Sequence, residues 1–263
     1  DSTFTYDSNG HQLTNHNVNT NYDAAGNKTA SNVSDSTFTY DSNGRQLTNH
    51  NVNTSYDAAG NKTGSSISDN TSTYDSNGRR LTDHNVNTSY DSAGNKTGSS
   101  ISDNTSTYDS HGNQLTNHNV STSYDSSETK TGSHISDNTS TYDSNGRRLT
   151  YHNVNTNYDA QNKQTYSSVS DGTSTYDLNG SETTIESSYQ LDANGKIVQM
   201  SKSVIAPLYD LNGNAVNVSS YSQFDGTGHL SSFNQNTWSN GGNNWLSSNI
   251  NVNLDASGIR ING

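Results

Sequence analysis

Five histidines recur, one in each copy of a repeated segment, and each stands next to an asparagine. Imidazole nitrogens are common metal ligands, so stacked histidines would suggest a metal site. Strand order decides whether they can share an ion: copies four strands apart in a meander lie about 19 Å apart, whereas copies stacked in a 34-residue coil lie about 4.8 Å apart. The turn phrases described below favour a meander, so we expect polar turn residues and no metal site. The histidines are His16, His50, His84, His118 and His152.

Aspartates such as Asp75 follow tyrosines at regular positions, and carboxylates are ligands that calcium prefers. The phrase Asp210-x-Asn212-x-Asn214 begins like an EF-hand loop, but Tyr221 stands at the twelfth position, where that loop needs a bidentate glutamate. The EF-hand hypothesis therefore fails. We expect the aspartates to accept backbone N–H bonds within their own turns. No cofactor is predicted, although calcium at a site outside these motifs stays an open alternative.

A Thr-x-Thr phrase occurs in every copy and resembles the flat threonine arrays of ice-binding solenoids. A separation of about 19 Å between copies would break such a lattice, and threonine is favoured in strands in any case. We therefore expect ordinary strand residues, with ice binding as a minor alternative. The phrases are Thr3/Thr5, Thr37/Thr39, Thr71/Thr73, Thr105/Thr107, Thr139/Thr141 and Thr173/Thr175.

Two tryptophans, Trp238 and Trp245, flank a polar turn phrase near the C-terminus. If they are exposed, the indoles could form a stacking platform for a sugar ring; if they are buried, they supply apolar core that the rest of the chain lacks. The core interpretation is favoured, and a carbohydrate-binding module centred on these two residues is the main alternative function.

The chain lacks the sequence motifs of hydrolases, zinc proteases and P-loop proteins. Aspartate and histidine are plentiful, but they recur once per repeat, whereas an active site is normally singular. The sequence therefore predicts that the protein is not an enzyme.

Composition limits the other classes. The net charge of −12 disfavours nucleic acid as a partner, and no apolar run is long enough to cross a bilayer. Leu, Ile, Val and Phe make up only 37 of the 263 residues, which is typical of disordered chains. A strict period argues against disorder, because a disordered chain has no need to keep one. The absence of cysteine is compatible with export.

A 34-residue repeat organises the chain, and each copy contains the phrase Tyr-Asp-x-x-Gly twice, as at Tyr74 and Tyr90. Aspartate first and glycine fourth suit a type I turn followed by a left-handed residue, as in a short hairpin loop. Glutamate replaces the second-turn glycine at Glu128, so we expect that copy to be irregular. The first-turn residues are Asp7, Gly10, Asp41, Gly44, Asp75, Gly78, Asp109, Gly112, Asp143 and Gly146.

Polar phrases between these hairpins, at 83–85 and 102–104, are interpreted as a second set of turns. This gives four short strands per repeat, at 71–74, 79–82, 86–90 and 95–101. Residues 1–180 form the repeat array, and residues 181–263, where the period loosens, are predicted to be a degenerate capping region. The fold class is thus all-β: tandem repeats of short antiparallel strands that form an elongated or coiled ribbon or solenoid.

Residues 73–82, TYDSNGRRLT, resemble the YD repeats of RHS-type and wall-associated bacterial proteins, whose signature is Tyr-Asp-x-x-Gly-Arg-Leu-Thr. This chain has one additional residue before the leucine and often lacks the arginine. The resemblance implies an extracellular ribbon of antiparallel strands. We therefore expect a secreted or cell-surface protein with a structural or adhesive role, fibre formation included, whose partner is either a second copy or a cell-surface or glycan ligand.

Overall fold

Short turn phrases separate segments in which serine and asparagine alternate with threonine, valine and isoleucine, a two-residue period that favours strands. The computed structural model describes residues 1–178, 180–209, 215–239, 247–255 and 258–262, and the side chains of 1–178, 180–207 and 217–236. Seventeen β-strands and no helix lie in this described part. They are β1 (Ser2–Tyr6), β2 (Gln12–Tyr22), β3 (Lys28–Tyr40), β4 (Gln46–Asp57), β5 (Lys62–Tyr74), β6 (Arg80–Tyr90), β7 (Lys96–Tyr108), β8 (Gln114–Asp125), β9 (Lys130–Tyr142), β10 (Arg148–Asp159), β11 (Gln164–Tyr176), β12 (Glu182–Leu191), β13 (Ile197–Tyr209), β14 (Ala215–Asp225), β15 (Leu230–Ser239), β16 (Ser247–Asp255) and β17 (Gly258–Asn262).

Strands pair with their neighbours in sequence. Antiparallel pairing runs from β1 to β7 and again from β10 to β17. A tight turn between neighbouring strands is possible only in antiparallel pairs, so the turn phrases determine the topology. The predicted all-β class, with antiparallel hairpins closed by Tyr-Asp-x-x-Gly, is confirmed.

The prediction of four short strands per repeat is wrong. Each repeat contains two long strands, such as the 11 residues of β6 and the 13 residues of β7. The polar phrase around His84 lies inside β6, and that around Asp103 lies inside β7. These two residues are directly opposed. Their polarity therefore reflects a cross-strand pair and not a turn.

Equivalent residues of successive repeats are accordingly two strands apart. His16 is opposite Asp35, and Asp35 is opposite Val52 and not His50, so the equivalent residue is displaced by two positions along its strand. Two strand spacings of about 4.8 Å and two residues of about 3.4 Å place equivalent Cα atoms about 12 Å apart. This separation is smaller than the value of about 19 Å that four strand spacings would give.

The hairpin turns share one geometry. At the turn after β5, the N–H of Gly78 donates to the carbonyl of Asp75 at 3.1 Å, and the N–H of Asp75 donates to the carbonyl of Arg79 at 2.9 Å. Gly78 has a φ of 85°, in the left-handed region that glycine enters without steric cost. The first-turn residues that the sequence predicted, one aspartate and one glycine in each repeat, thus lie in turns.

The irregularity expected at Glu128 is not found. Glu128 and Asn162 both adopt a φ of 62°, and the N–H of each donates to the carbonyl of the turn aspartate as the N–H of the turn glycine does. A left-handed conformation costs a non-glycine residue about 1–2 kcal/mol, less for asparagine. At Asn162 the flanking strands β10 and β11 are paired, and this pairing fixes the turn even without glycine.

Side chains alternate between two faces of the strands. One face carries directly opposed valine and isoleucine, such as Val52 opposite Ile67, and the other carries serine and asparagine, such as Ser36 opposite Asn51. Within the described part of the chain, no apolar side chain is buried. Backbone ladders and cross-strand pairs, rather than an apolar core, therefore carry most of the stability. The buried polar residues are Ser36, Ser72, Ser106, Ser140, Thr156, Ser167 and Ser174.

The chain divides into two units. The first comprises Asp1–Thr107, Asn117–Ile135 and Asp159–Asn162, and the second comprises Tyr108–Thr116, Ser136–Tyr158 and Lys163–Gly263. The predicted boundary between an array at 1–180 and a cap at 181–263 stays a prediction.

Candidate functional site

The turn aspartates use both carboxylate oxygens within their own turns. Oδ1 of Asp75 accepts the backbone N–H groups of Asn77 and Arg79, both at 2.9 Å, and Oδ2 accepts the Nε–H of Arg79 at 2.6 Å. These bonds, led by the one from the Arg79 backbone, lower the pKa of Asp75. The predicted role of the aspartates is thus observed, and it leaves little oxygen capacity for a calcium ion. The EF-hand-like phrase at 210–214 lies outside the described residues.

The arginine of the turn signature joins one repeat to the next. Arg45 is held by Asp41 of its own turn, and its Nη1 donates to the backbone carbonyl of Asp75 at 2.6 Å. Its guanidinium lies 5.3 Å from the ring centre of Tyr74, whose hydroxyl donates to the carbonyl of Gln46 at 3.0 Å. Successive repeats are therefore linked through the Tyr, Asp and Arg of the signature.

The link between repeats recurs elsewhere in the chain, once with histidine in place of arginine and once with arginine. His11 stacks on Tyr40 with ring centres 5.0 Å apart, and the Tyr40 hydroxyl donates to the carbonyl of Gln12. In the second unit, the guanidinium of Arg147 lies 4.3 Å from the ring centre of Tyr176. Sequence reasoning missed this link, although tyrosine and arginine recur at the repeat spacing.

This link constrains some of the first-turn glycines in a way that the second-turn glycines are not constrained. A Cβ at Gly44 would clash with Nε2 of His11 at 2.5 Å, and a Cβ at Gly78 would be in ordinary contact with Cδ of Arg45 at 3.8 Å, whereas nothing lies within 4 Å of a Cβ at Gly10 or Gly180. At the second turns, nothing lies within 4 Å of a Cβ at Gly26, Gly60 or Gly94. Glycine at 44 and 78 thus leaves room for the side chain of the preceding repeat, whereas the second-turn position can hold glutamate or asparagine.

The histidines lie in strands and not in turns, which corrects the prediction for them. Nδ1 of His50 lies 2.5 Å from Oδ1 of Asp69 on the next strand, and both side chains are half-exposed. At about 12 Å apart, equivalent histidines cannot share an ion. Among the described side chains, no group of three or more potential metal ligands occurs. The same pair forms at His16/Asp35, His84/Asp103 and His152/Asp171.

The threonines lie closer together than a four-strand separation implied. Thr39 and Thr48 are directly opposed, with Oγ1 atoms 2.6 Å apart, and Thr48 is also opposite Thr71 on its other side. Thr39, Thr48 and Thr71 therefore form a row across three strands. Thr37 and Thr39 lie on one strand and one face, so this row connects to a second row of three threonines that ends at Thr37. The result is a continuous band of threonines across β1 to β7, which we call the threonine band. Its other rows are Thr5, Thr14, Thr37 and Thr73, Thr82, Thr105.

The two tryptophans lie at the edge of the described part of the chain. The backbone of Trp238 lies in β15, and Trp245 lies outside the described residues. The carbohydrate-binding alternative that rests on them stays a prediction.

No helix in the described part of the chain has the length and apolarity to span a membrane.

No protein-family model and no curated protein matches this sequence. Among solved structures, it is similar to a porin-like protein from Bacteroides uniformis ATCC 8492, with 13% identity, coverage of 93% of this chain and 95% of that one, and a TM-score of 0.22. It is also similar to TcdB2-TccC3 at 11% identity and a TM-score of 0.12, and to the Photorhabdus luminescens Tc holotoxin pore at 12% and 0.11. These matches cover 98% of this chain but 21% of either toxin chain. At these values the likeness bears on neither fold nor function.

Proposed function

We propose that this protein is a structural or adhesive repeat module of the YD-repeat kind, secreted or displayed at a cell surface. The number of repeats determines the length of the molecule. The observation that carries the proposal is the inter-repeat link, in which Arg45 of one turn binds the backbone of Asp75 in the next. The turn aspartates and the His–Asp and Thr–Thr cross-strand pairs described above form hydrogen bonds within turns or between neighbouring strands, and they recur from repeat to repeat. Partners are a second copy or a cell-surface glycan.

Removal of one repeat tests the array character of the scaffold. Deletion of residues 69–102 joins Ser68 to Asp103 and re-creates the sequence of β5. We expect an unchanged circular dichroism spectrum per residue. Electron microscopy and solution scattering should show an extended particle that is shorter by two strands, about 10 Å. Duplication of the same segment should lengthen it equally.

Deletion of residues 69–101 is the matched control. It leaves one additional residue in the middle of the joined strand, which transfers the following side chains to the wrong face. This variant should be markedly less stable than the deletion of the whole repeat. Equal stability of the two variants, or a compact particle with a single cleft, would contradict the proposal.

The threonine band supports a second candidate function, ice binding. Its threonines lie on adjacent strands about 4.8 Å apart, and β3 and β5 each carry two of them about 6.8 Å apart, so the rows of the band repeat at a regular step. Thr37, Thr39 and Thr71 are exposed. Thermal hysteresis should be measurable for the wild type and reduced at least twofold in a Thr39→Lys/Thr71→Lys variant. Absence of hysteresis in the wild type, at a concentration where the variant and wild type are both folded, would exclude this function.

A further inference from the structure

One position interrupts the repetition of the second turns with a charged side chain. Glu128 replaces the glycine found at Gly26, Gly60 and Gly94, and it keeps the left-handed turn at φ 62°. Its carboxylate reaches back to Nζ of Lys96 in the preceding repeat, at 3.1 Å. Unusual backbone conformations of this kind persist where the surrounding structure enforces them, and they cluster at functional sites.

A cavity of about 360 Å³ lies beside this ion pair, within the first unit. Its floor is formed by two cross-strand pairs of β6 and β7, Val86 opposite Ile101 and Thr88 opposite Ser99. Tyr124 lines it as well. A volume near the lower end of the range of small-molecule sites fits one or two small rings.

Lys96 and Glu128 complete the lining of this cavity. Lys96 is largely covered, with 23% of its side chain exposed, whereas Glu128 is 78% exposed. The site therefore combines a floor that is apolar at Val86 and Ile101 and polar at Thr88 and Ser99, an aromatic side chain, and a rim that offers one cationic donor and one anionic acceptor.

We propose that this cavity binds a neutral pyranose unit of a glycan. A sugar ring has an apolar face of C–H groups, which suits Val86, Ile101 and Tyr124, and a rim of hydroxyls. Neighbouring hydroxyls accept from the Lys96 ammonium and donate to the Glu128 carboxylate at the same time. A charged ligand satisfies only one of these two groups and separates the other from its partner, which favours a neutral sugar.

This site deepens the glycan-binding part of the proposed function, but its test depends neither on the repeat deletions nor on the tryptophans near the C-terminus. Its carboxylate is also specific to one copy, because glycine at 26, 60 and 94 and asparagine at 162 offer no carboxylate at this turn position. A single sugar site on a repetitive scaffold gives weak binding, with a Kd of about 1 mM for one ring.

The test uses saturation-transfer NMR and titration of the full chain with methyl glycosides of glucose, galactose, mannose and N-acetylglucosamine. We expect at least one of these neutral sugars to bind. Glu128→Gly restores the glycine of the first three copies and removes the anionic acceptor of the rim, so it should weaken that binding about tenfold or more. This variant is expected to be at least as stable as the wild type, because it relieves the left-handed glutamate.

Asn162→Gly is the matched control. It removes the other non-glycine residue at the same turn position, and the cavity beside Tyr124 should bind the sugar with unchanged affinity. Tyr124→Ala should weaken binding as Glu128→Gly does, and its melting temperature reports whether it is folded. The proposal is overturned if none of the four glycosides binds the wild type, or if the affinity of the sugar that binds survives Glu128→Gly.

Discussion

Replacing Gly78 with glutamate is expected to lower the free energy of unfolding by about 3 kcal/mol, whereas the same replacement at Gly94 should cost only about 1 kcal/mol. The φ angles of the two glycines are 85° and 87°, so both variants carry the left-handed strain. At Gly78 a Cβ would be in ordinary contact with Cδ of Arg45 at 3.8 Å, and we expect the longer glutamate side chain to compete for the space of Arg45, which donates to the Asp75 carbonyl and covers Tyr74. At Gly94 nothing lies within 4 Å, and the change copies the natural Glu128.

Urea denaturation followed by circular dichroism measures both effects. Arg45→Ala in the Gly78→Glu background separates strain from the lost link: once Arg45 is absent, glutamate at 78 should cost no more than glutamate at 94. Similar losses for the two glutamate variants in the wild-type background would show that the inter-repeat link contributes little, and would remove the explanation given for glycine at 78.

Turn geometry could be predicted from the sequence because the interactions that determine it are local. Asp75 binds groups two and four residues away, and the glycine that follows adopts its left-handed conformation within the same phrase. The antiparallel order of the strands follows from these turns without any knowledge of long-range contacts.

Strand length could not be predicted in the same way. The residues around His84 have the composition of a turn, and the partner that makes them strand residues, Asp103, lies 19 residues further along the chain. Only the register shows that they are opposed. Arg45 posed the same difficulty at longer range, since its partner in the next turn is 30 residues away. A short window therefore identifies the turns but neither the cross-strand pairs nor the links between repeats.

Acid is expected to unfold the protein through these turns. The pKa of each of the turn aspartates Asp7, Asp23, Asp41, Asp57, Asp75, Asp91, Asp109 and Asp143 is below its ordinary value of 3.8 because the folded turn supplies hydrogen-bond donors to the carboxylate. At Asp225 the hydroxyl of Thr227, with two backbone N–H groups, lowers the pKa to about 2. Unfolding therefore takes up protons in acid.

The sign of the effect follows from these directions. A carboxylate whose pKa is lower in the folded state contributes its full stabilisation when the pH is above its unfolded pKa of 3.8. That contribution is lost as the pH falls through the folded pKa values towards about 2. Because many equivalent turns titrate together, urea midpoints should be level above about pH 5 and fall steeply below about pH 4. The control is Asp23→Asn/Asp57→Asn/Asp91→Asn, which removes three titrating groups but keeps a side-chain oxygen in each turn. It should be less stable than the wild type at neutral pH and lose less stability on acidification, whereas parallel acid limbs for the two proteins would show that other groups govern acid unfolding.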